Sequence, residues 1–301
     1  KMHDVKAIDR LLVLSISDII DVKLAAINAL GKNGSTKAVD FLLSLSQSNL
    51  IDIKISVIDA LGNTGDIKVI DCLLSMSLSN VISVKVAAIK ALSGIKNIKV
   101  IDHLLLLLLS NNPEVKISVI EALGKLGEVN VIDHLSLLTL SETMIIKIAA
   151  IKALGNIKHV KAVDLLLSLS SSNNLETKFA AIKALGGIGD DKAIDCLLLL
   201  SKSDLMDIKL LAIEALGKNN AIKAVNRLLE LSQSNTLSIK LVAIEALGRT
   251  NNIKVIDRLK YLSMDHTLAI KMVAINSLGH FDDVKAIDHL LSLALSNNQD
   301  V

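Results

Sequence analysis

The sequence predicts an all-α solenoid, a stack of helical hairpins laid side by side. Three observations carry that expectation: a 31-residue period without insertion or deletion, two stretches per period with apolar residues at helical spacing, and a glycine after the second stretch. Copies begin at Val5, Thr36, Ile67, Ile98, Val129, Val160, Asp191, Ile222, Ile253 and Val284. Nine are complete, and the tenth stops at Val301 after eighteen residues. A strict period outweighs the division into two domains that 301 residues would otherwise suggest, so residues 1–301 are expected to form one continuous array.

The copy Ile98–Glu128 shows how each element follows. Val100, Ile101, Leu104, Leu105, Leu107 and Leu108 fall at helical spacing and predict a first helix from about Lys99 to about Ser110. The uninterrupted leucines Leu104–Leu109 are expected to serve mainly packing. Asn111 and Glu114 have the spacing of a capping box for a second helix, repeated as Asp18/Asp21, Asn49/Asp52, Asn173/Glu176 and Asp204/Asp207. Pro113, the single proline, falls in that first turn, where a missing N–H costs least.

The second helix is expected to end at Leu123, with Gly124 as a left-handed cap. Gly31, Gly62, Gly155, Gly186, Gly217, Gly248 and Gly279 are its equivalents, and Ser93 is the exception with Gly94 beside it. Links to the next copy often close on an N-cap residue: Asp66, Asn97, Asp190 or Asp283. Such a hairpin has apolar surface on more than one side, so copies must stack. The tenth copy has a first helix through His289–Leu295 but no second, which suggests a longer natural chain or an end-to-end contact between molecules. Lys1 likewise suggests a missing upstream segment.

Composition narrows the functional classes. Apolar residues make up 51% of the chain and aromatics 1%, with no Trp, so the interior is built from Leu, Ile, Val and Ala. Thirty-three basic residues nearly cancel thirty-one acidic ones, which argues against a phosphate-tracking nucleic-acid groove. The longest apolar run is six residues, far short of the ~20 of a membrane span. No signal-peptide pattern opens the chain. Cys72 and Cys196 occupy the same repeat position four copies apart, too distant to bridge, and two free thiols suggest a cytoplasmic setting.

In a stacked array each repeat position becomes a row of side chains. One row is invariant: Lys23, Lys54, Lys85, Lys116, Lys147, Lys178, Lys209, Lys240 and Lys271. A cation early in a helix opposes the macrodipole, so acids at the turns, such as Asp21, Asp52, Glu114, Glu176 and Asp207, are expected to pair with it in a ladder that fixes the stacking. Lys37/Asp40, Lys68/Asp71, Lys99/Asp102 and Lys161/Asp164 read as i,i+3 pairs on a solvated outer face.

A third row is the candidate partner face. At 100° per residue Val115, Val119, Ala122 and Leu123 cluster on one side of the second helix, with Ile117 and Glu121 nearly opposite. Ile117 and its equivalents Leu24, Ile55, Val86, Ile148, Phe179, Leu210, Leu241 and Met272 are apolar in all nine complete copies. One turn on, Asn28, Asp59, Lys90, Glu121, Lys152, Lys183, Glu214, Glu245 and Asn276 vary freely in charge. An exposed apolar ridge beside a variable charged ridge suits partner binding; burial of the apolar row between neighbouring second helices suits the spacing equally. A fourth row holds His103, His134 and His289 with Arg10, Phe41, Cys72, Leu165, Cys196, Arg227 and Arg258. Adjacent copies stand ~10 Å apart, too far for His103 and His134 to share an ion at ~2 Å, so this row reads as a tolerant, partly exposed position.

At VKLAAINALG (residues 22–31), VKVAAIKALS (84–93) and IKIAAIKALG (146–155), after first-helix runs of the KAVDxLLxLS kind, the chain resembles the HEAT-like repeats of phycobilin lyases. The resemblance covers essentially the whole chain. It implies a right-handed superhelix with the second helices on its concave face, and a protein-binding scaffold as the general role. A minority of such proteins are lyase subunits or metal-dependent hydroxylases. The paired His-Glu iron ligands of the hydroxylases have no counterpart here, since the sequence contains no His-Glu dipeptide. The aromatic cleft of the alkylpurine glycosylases with this fold is likewise missing from a chain with one Tyr, three Phe and no Trp.

No catalytic constellation, metal set or cofactor motif is legible. The expected function is therefore a non-enzymatic scaffold that binds a protein or peptide along the concave face. Val86, Ile117, Ile148, Phe179, Leu210 and Leu241 would supply affinity, and Lys90, Glu121, Lys152, Lys183, Glu214 and Glu245 discrimination. The alternative is a lyase-like or chaperone-like subunit acting on a tetrapyrrole or its carrier protein. Nucleic-acid binding along the Lys116 row is the remaining class.

Overall fold

The computed structural model describes residues 5–295. Among them are nineteen α-helices and no strand. In order these are α1 (Val5–Leu14), α2 (Ile20–Asn33), α3 (Thr36–Leu45), α4 (Ile51–Thr64), α5 (Ile70–Met76), α6 (Ile82–Leu92), α7 (Ile98–Leu107), α8 (Pro113–Leu126), α9 (Ile132–Leu138) and α10 (Met144–Ile157). Then follow α11 (Val163–Ser170), α12 (Leu175–Leu185), α13 (Asp191–Leu200), α14 (Met206–Leu216), α15 (Ile222–Leu231), α16 (Leu237–Arg249), α17 (Ile256–Leu262), α18 (Leu268–Leu278) and α19 (Val284–Leu295). Odd-numbered helices are first helices and even-numbered ones second helices, so each of the nine complete copies forms the hairpin its pattern predicts. The architecture is an all-α solenoid stack.

The chain forms two compact units, the first ending at Ala153 and the second starting at Leu154 inside α10. In the first unit α2 packs on α4, α4 on α6 and α6 on α8. In the second, α12 packs on α14, α14 on α16 and α16 on α18. Between the helix layers lie Ile27, Leu30, Leu42, Ile58, Leu61, Leu73, Ile89, Leu92, Leu104, Ile120 and Leu123, all fully buried. Each such side chain contributes roughly 1.5–3 kcal/mol relative to an exposed position. Residues 296–301 of the incomplete tenth copy, past α19, lie outside the described residues.

The glycine row does not supply left-handed caps. Gly186, Gly217 and Gly279 have right-handed φ values of −61°, −67° and −63°, and α2, α4 and α8 run through Gly31, Gly62 and Gly124 to end two residues later. Left-handed caps do occur, at Gly34, Gly65 and Gly127, with φ of 64°, 65° and 74°. The conserved spacing serves close approach instead: a Cβ on Gly31 would stand 2.6 Å from Ala60, and one on Gly217 2.7 Å from Ala246. Gly62, Gly124, Gly155 and Gly186 meet Ala91, Ala153, Ala184 and Ala215 in the same way, and Gly248 meets Ser277. Periodicity along one helix cannot distinguish the end of that helix from its contact with the next.

Capping differs in detail as well. The N-cap of α8 is Asn112, whose Oδ1 accepts from the Val115 N–H at 3.1 Å, and that of α12 is Asn174, accepting from Thr177 at 2.9 Å. Both lie one residue after the expected Asn111 and Asn173. A serine supports the turn before the second helix in most copies: Ser17 accepts from Ile19, Ser110 from Asn112 and Ser203 from Leu205. Asp66, Asn97, Asp190 and Asp283 accept from the N–H two residues on, as N-cap residues should. Pro113 is the first residue of α8.

The leucine run is only half packing. Leu104 and Leu108 are buried and Leu105 and Leu107 half-buried, but Leu106 and Leu109 face solvent. A 3.6-residue turn brings only every third or fourth side chain inward, whatever the composition of the run.

The Gly–Ala approach sets the expected response to substitution. Gly217→Ala should lower unfolding free energy by about 2 kcal/mol through overpacking. Gly189→Ala, where an added Cβ meets nothing within 4 Å, should leave it nearly unchanged. Denaturant titration followed by helical circular dichroism compares the two.

Candidate partner-binding face

The second helices present the two predicted rows along one face in each unit. In the first unit Leu24, Ile55, Ile117 and Ile148 are half-buried and Val86 is buried, at 8% exposure. In the second, Phe179, Leu210 and Leu241 are half-buried and Met272 is 50% exposed. The row is therefore neither a free ridge nor a core row, because neighbouring second helices cover its flanks and leave its crest open. The charged row stands clear of it. Asn28, Asp59, Lys90, Glu121 and Lys152 are exposed in the first unit; Lys183, Glu245 and Asn276 are exposed in the second, with Glu214 half-buried.

In the first unit this face is hollowed into one trough across α2, α4, α6 and α8. Its central concavity, of about 600 Å³, is lined by Asn28, Asp59, Asn63, Lys90 and Lys125 and floored by Gly62, Gly65 and Gly94. A concavity of about 370 Å³ adjoins it through Asn28 and Asp59 and adds Leu24, Asp52, Ile55 and Ser56. Another of about 320 Å³ adjoins it through Lys90 and Lys125 and adds Ser93, Ser118, Glu121 and Ala122. The trough thus grades from an apolar, acidic end at Leu24, Ile55, Asp52 and Asp59 to an end carrying Lys90, Lys125 and Glu121. Burial pushes the Asp59 carboxyl above the usual carboxylate range, partly offset by the Lys90 charge. Ser56 Oγ, in the apolar end, is buried without a hydrogen-bond partner.

Of the two rows the sequence singles out in the first unit, the trough brings together Leu24, Ile55, Asn28, Asp59, Lys90 and Glu121. Val86 is withdrawn into the packing, and Ile117, Ile148 and Lys152 lie outside the three concavities. Asp52, Ser56, Asn63 and Lys125 line it without standing in either predicted row, because depth depends on the helices between which a side chain falls. In the second unit Arg249 links two members of the charged row, reaching Glu245 at 2.5 Å and Glu214 at 3.6 Å.

The lysine row Lys23 to Lys271 is half-buried throughout. Ion pairs between adjacent copies are made on the first-helix side by another row: Lys37 pairs with Asp9, Lys192 with Asp164 at 2.9 Å, and Lys223 with Asp195 at 3.1 Å. The lysine opening one first helix therefore reaches the aspartate of the preceding copy, not the aspartate three residues on. These side chains are exposed, so the pairs orient more than they stabilise. Hydrogen bonding and charge from Asp164 and Asp195 hold the Lys192 and Lys223 ammonium groups above their ordinary range.

The row of His103 and Arg227 forms a second link between copies. Each first helix except α7 and α19 closes its last turn with a buried Ser or Thr, among them Ser77, Ser201, Ser232 and Ser263. His103 Nε2 lies 2.6 Å from Ser77 Oγ and His289 Nε2 2.7 Å from Ser263 Oγ, while Arg227 and Arg258 donate through Nε at 3.1 Å to Ser201 and Ser232. Ser77 Oγ already donates to the Leu74 carbonyl at 2.6 Å, so His103 is the donor through Nε2–H. The Arg258 guanidinium also stands 5.2 Å from the Tyr261 ring centroid, in cation–π range. The position expected to be tolerant is thus an inter-copy lock whose signal is the serine 26 residues earlier. Among the described residues no three His, Cys, Asp or Glu converge as a metal site, and no helix is long and apolar enough to cross a membrane.

Hairpins that stack through their second helices and repeat one face define an all-α repeat protein of the solenoid type. The family model for HEAT repeats matches residues 9–81, 79–143, 137–217 and 225–301, and the chain belongs to that family. Similar solved structures include human deoxyhypusine hydroxylase in complex with glycerol, at 16% identity over 81% of this chain and 96% of that one, with a TM-score of 0.39. The complex of CpcE and CpcF of phycocyanin lyase from Nostoc sp. PCC7120 aligns at 19% identity over 80% and 93%, with a TM-score of 0.47. Kap95p, from its structure with RanGDP, aligns at 13% identity over 97% of this chain and 47% of that one, with a TM-score of 0.50. No curated protein matches the chain by sequence.

The histidine locks give stacking a pH dependence. Burial lowers the affinity of His103 and His289 for a proton, with the Lys260 charge adding to the effect at His289. Folding favours the neutral ring, so the stability they contribute is complete above the unfolded value of 6.5 and is lost as pH falls below it through the depressed folded value. His103→Gln with His289→Gln should flatten the fall in denaturation midpoint between roughly pH 7 and 5. Urea titrations of both proteins across that range measure the difference.

Proposed function

We propose that this chain is a non-enzymatic scaffold that holds a protein or peptide segment along the face formed by its second helices, with the trough of the first unit as the main seat. The continuous trough carries this reading. Copies that are nearly identical in their packing residues differ there in charge, so a shared frame displays a particular sequence of Asp59, Lys90 and Glu121. HEAT repeats as a family suit protein partners, and the half-buried crest of Leu24 and Ile55 offers apolar contact without a deep pocket. Apolar contact supplies affinity, and the charged row selects. In the second unit Phe179, Leu210 and Leu241, beside Lys183, Glu214 and Glu245, would offer a contact face of their own.

Partners are identified by affinity capture from the source cell and mass spectrometry. Because the apolar crest also packs, the informative variants change exposed charges: Asp59→Lys with Lys90→Glu should weaken the captured complex tenfold or more and leave helical content unchanged. Asp102→Lys on the first-helix side should leave binding intact. A complex insensitive to the trough variants and broken by Asp102→Lys would overturn the assignment.

A further inference from the structure

The first-helix side of the first unit carries an apolar patch that the fold does not require. Leu78, Leu106, Leu109, Leu137 and Leu140 are 59 to 80% exposed. They occupy two repeat positions, near the last turn of the first helix and just past it, in three successive copies. Copies two, six and eight place Ser44 and Gln47, Ser168 and Ser171, and Glu230 and Gln233 there, whereas Val13 and Ile16, Leu199, Tyr261 and Met264, and Leu295 are exposed apolar residues at these positions in copies one, seven, nine and ten; only copies four and five are neighbours with both positions apolar. Since the same hairpin forms with serine, glutamine or glutamate, leucine at these places is not a by-product of stacking. Apolar patches of several hundred Å² on a soluble surface mark contact with something else.

We infer that this patch joins two copies of the chain about a two-fold axis between α7 and α9. A two-fold contact needs a surface that is its own complement: residue i meets j of the partner copy, and j meets i. The pair Leu106 and Leu109 recurs as Leu137 and Leu140 one layer away, at ~10 Å. Rotating one copy therefore lays the first pair on the second and the second on the first. The patch itself carries no charge with which to select a different protein. Glu114 and Glu142, exposed just beyond it, oppose an anionic membrane. The exposed leucine surface, on the order of several hundred Å², approaches the ~800 Å² per partner of a stable interface once its polar rim is added. The contact is independent of the trough, which faces the other side of the same hairpins.

Sedimentation velocity of the full chain from about 1 to 100 μM should show a concentration-dependent dimer that persists from low to high salt, as an uncharged contact requires. Leu109→Glu with Leu140→Glu should raise the dimer Kd more than tenfold while circular dichroism and melting stay unchanged, because both side chains are exposed. For the register, Leu109→Cys with Leu140→Cys, with Cys72→Ala and Cys196→Ala to remove the native thiols, should yield disulfide-linked dimers on mild oxidation. One layer separates the two positions within a copy, beyond the ~7 Å limit for an internal bridge. A chain monomeric throughout the range, or a dimer untouched by the double glutamate variant, overturns the inference. Flotation of a monomeric chain with phosphatidylcholine vesicles, abolished by the same variant, would overturn it in favour of a lipid contact.

Discussion

The structure depends on backbone-to-backbone contact between successive second helices. An alanine of one helix sits where a Cβ of the glycine before it would be, with 2.6 to 2.8 Å available, so the layers approach as closely as helices can. That approach excludes large or aromatic side chains from the seam and explains an interior of Leu, Ile, Val and Ala. It also leaves the crest of the Ile117 row half covered, since helices this close shade one another's flanks without closing over them.

Around that seam the copies are locked twice more on the first-helix side. One link is electrostatic and exposed, from the lysine of one copy to the aspartate of the one before. The other is a hydrogen bond from His103, His289, Arg227 or Arg258 to a buried serine. Cys196, 3.8 Å from Ser170 Oγ, takes the same place with a weaker contact. Several chemistries at one position do the same task because each of these partners meets a serine, at Ser77, Ser170, Ser201, Ser232 or Ser263, and any donor of suitable length satisfies it. What differs from copy to copy is sensitivity to conditions, with the histidines responding to pH and the arginines not.

Freed of packing duty, the remaining surface is where copies diverge. On the second-helix side divergence gives the graded trough from Leu24 and Asp59 to Lys90 and Lys125. On the first-helix side it gives the leucine patch in copies three to five. Each is read by subtracting what the repeat needs.

The sequence by itself determined the period, the hairpin, the N-caps at Asp66, Asn97, Asp190 and Asp283, the position of Pro113 and membership of the helical-repeat class, because all of these are encoded by spacing within a single copy. It also placed Lys90 and Glu121 on an open face. Only the tertiary structure decided that Gly31 and its equivalents through Gly248 are contact points and not left-handed caps, that Leu106 and Leu109 face water, and that Asp52, Ser56, Asn63 and Lys125 complete the trough. It likewise showed that His103 answers a serine in the preceding copy. The reason is common to all four: helical periodicity reports which side of a helix a residue occupies, whereas depth, contact and pairing depend on the neighbouring helix, whose register the pattern of one copy does not contain.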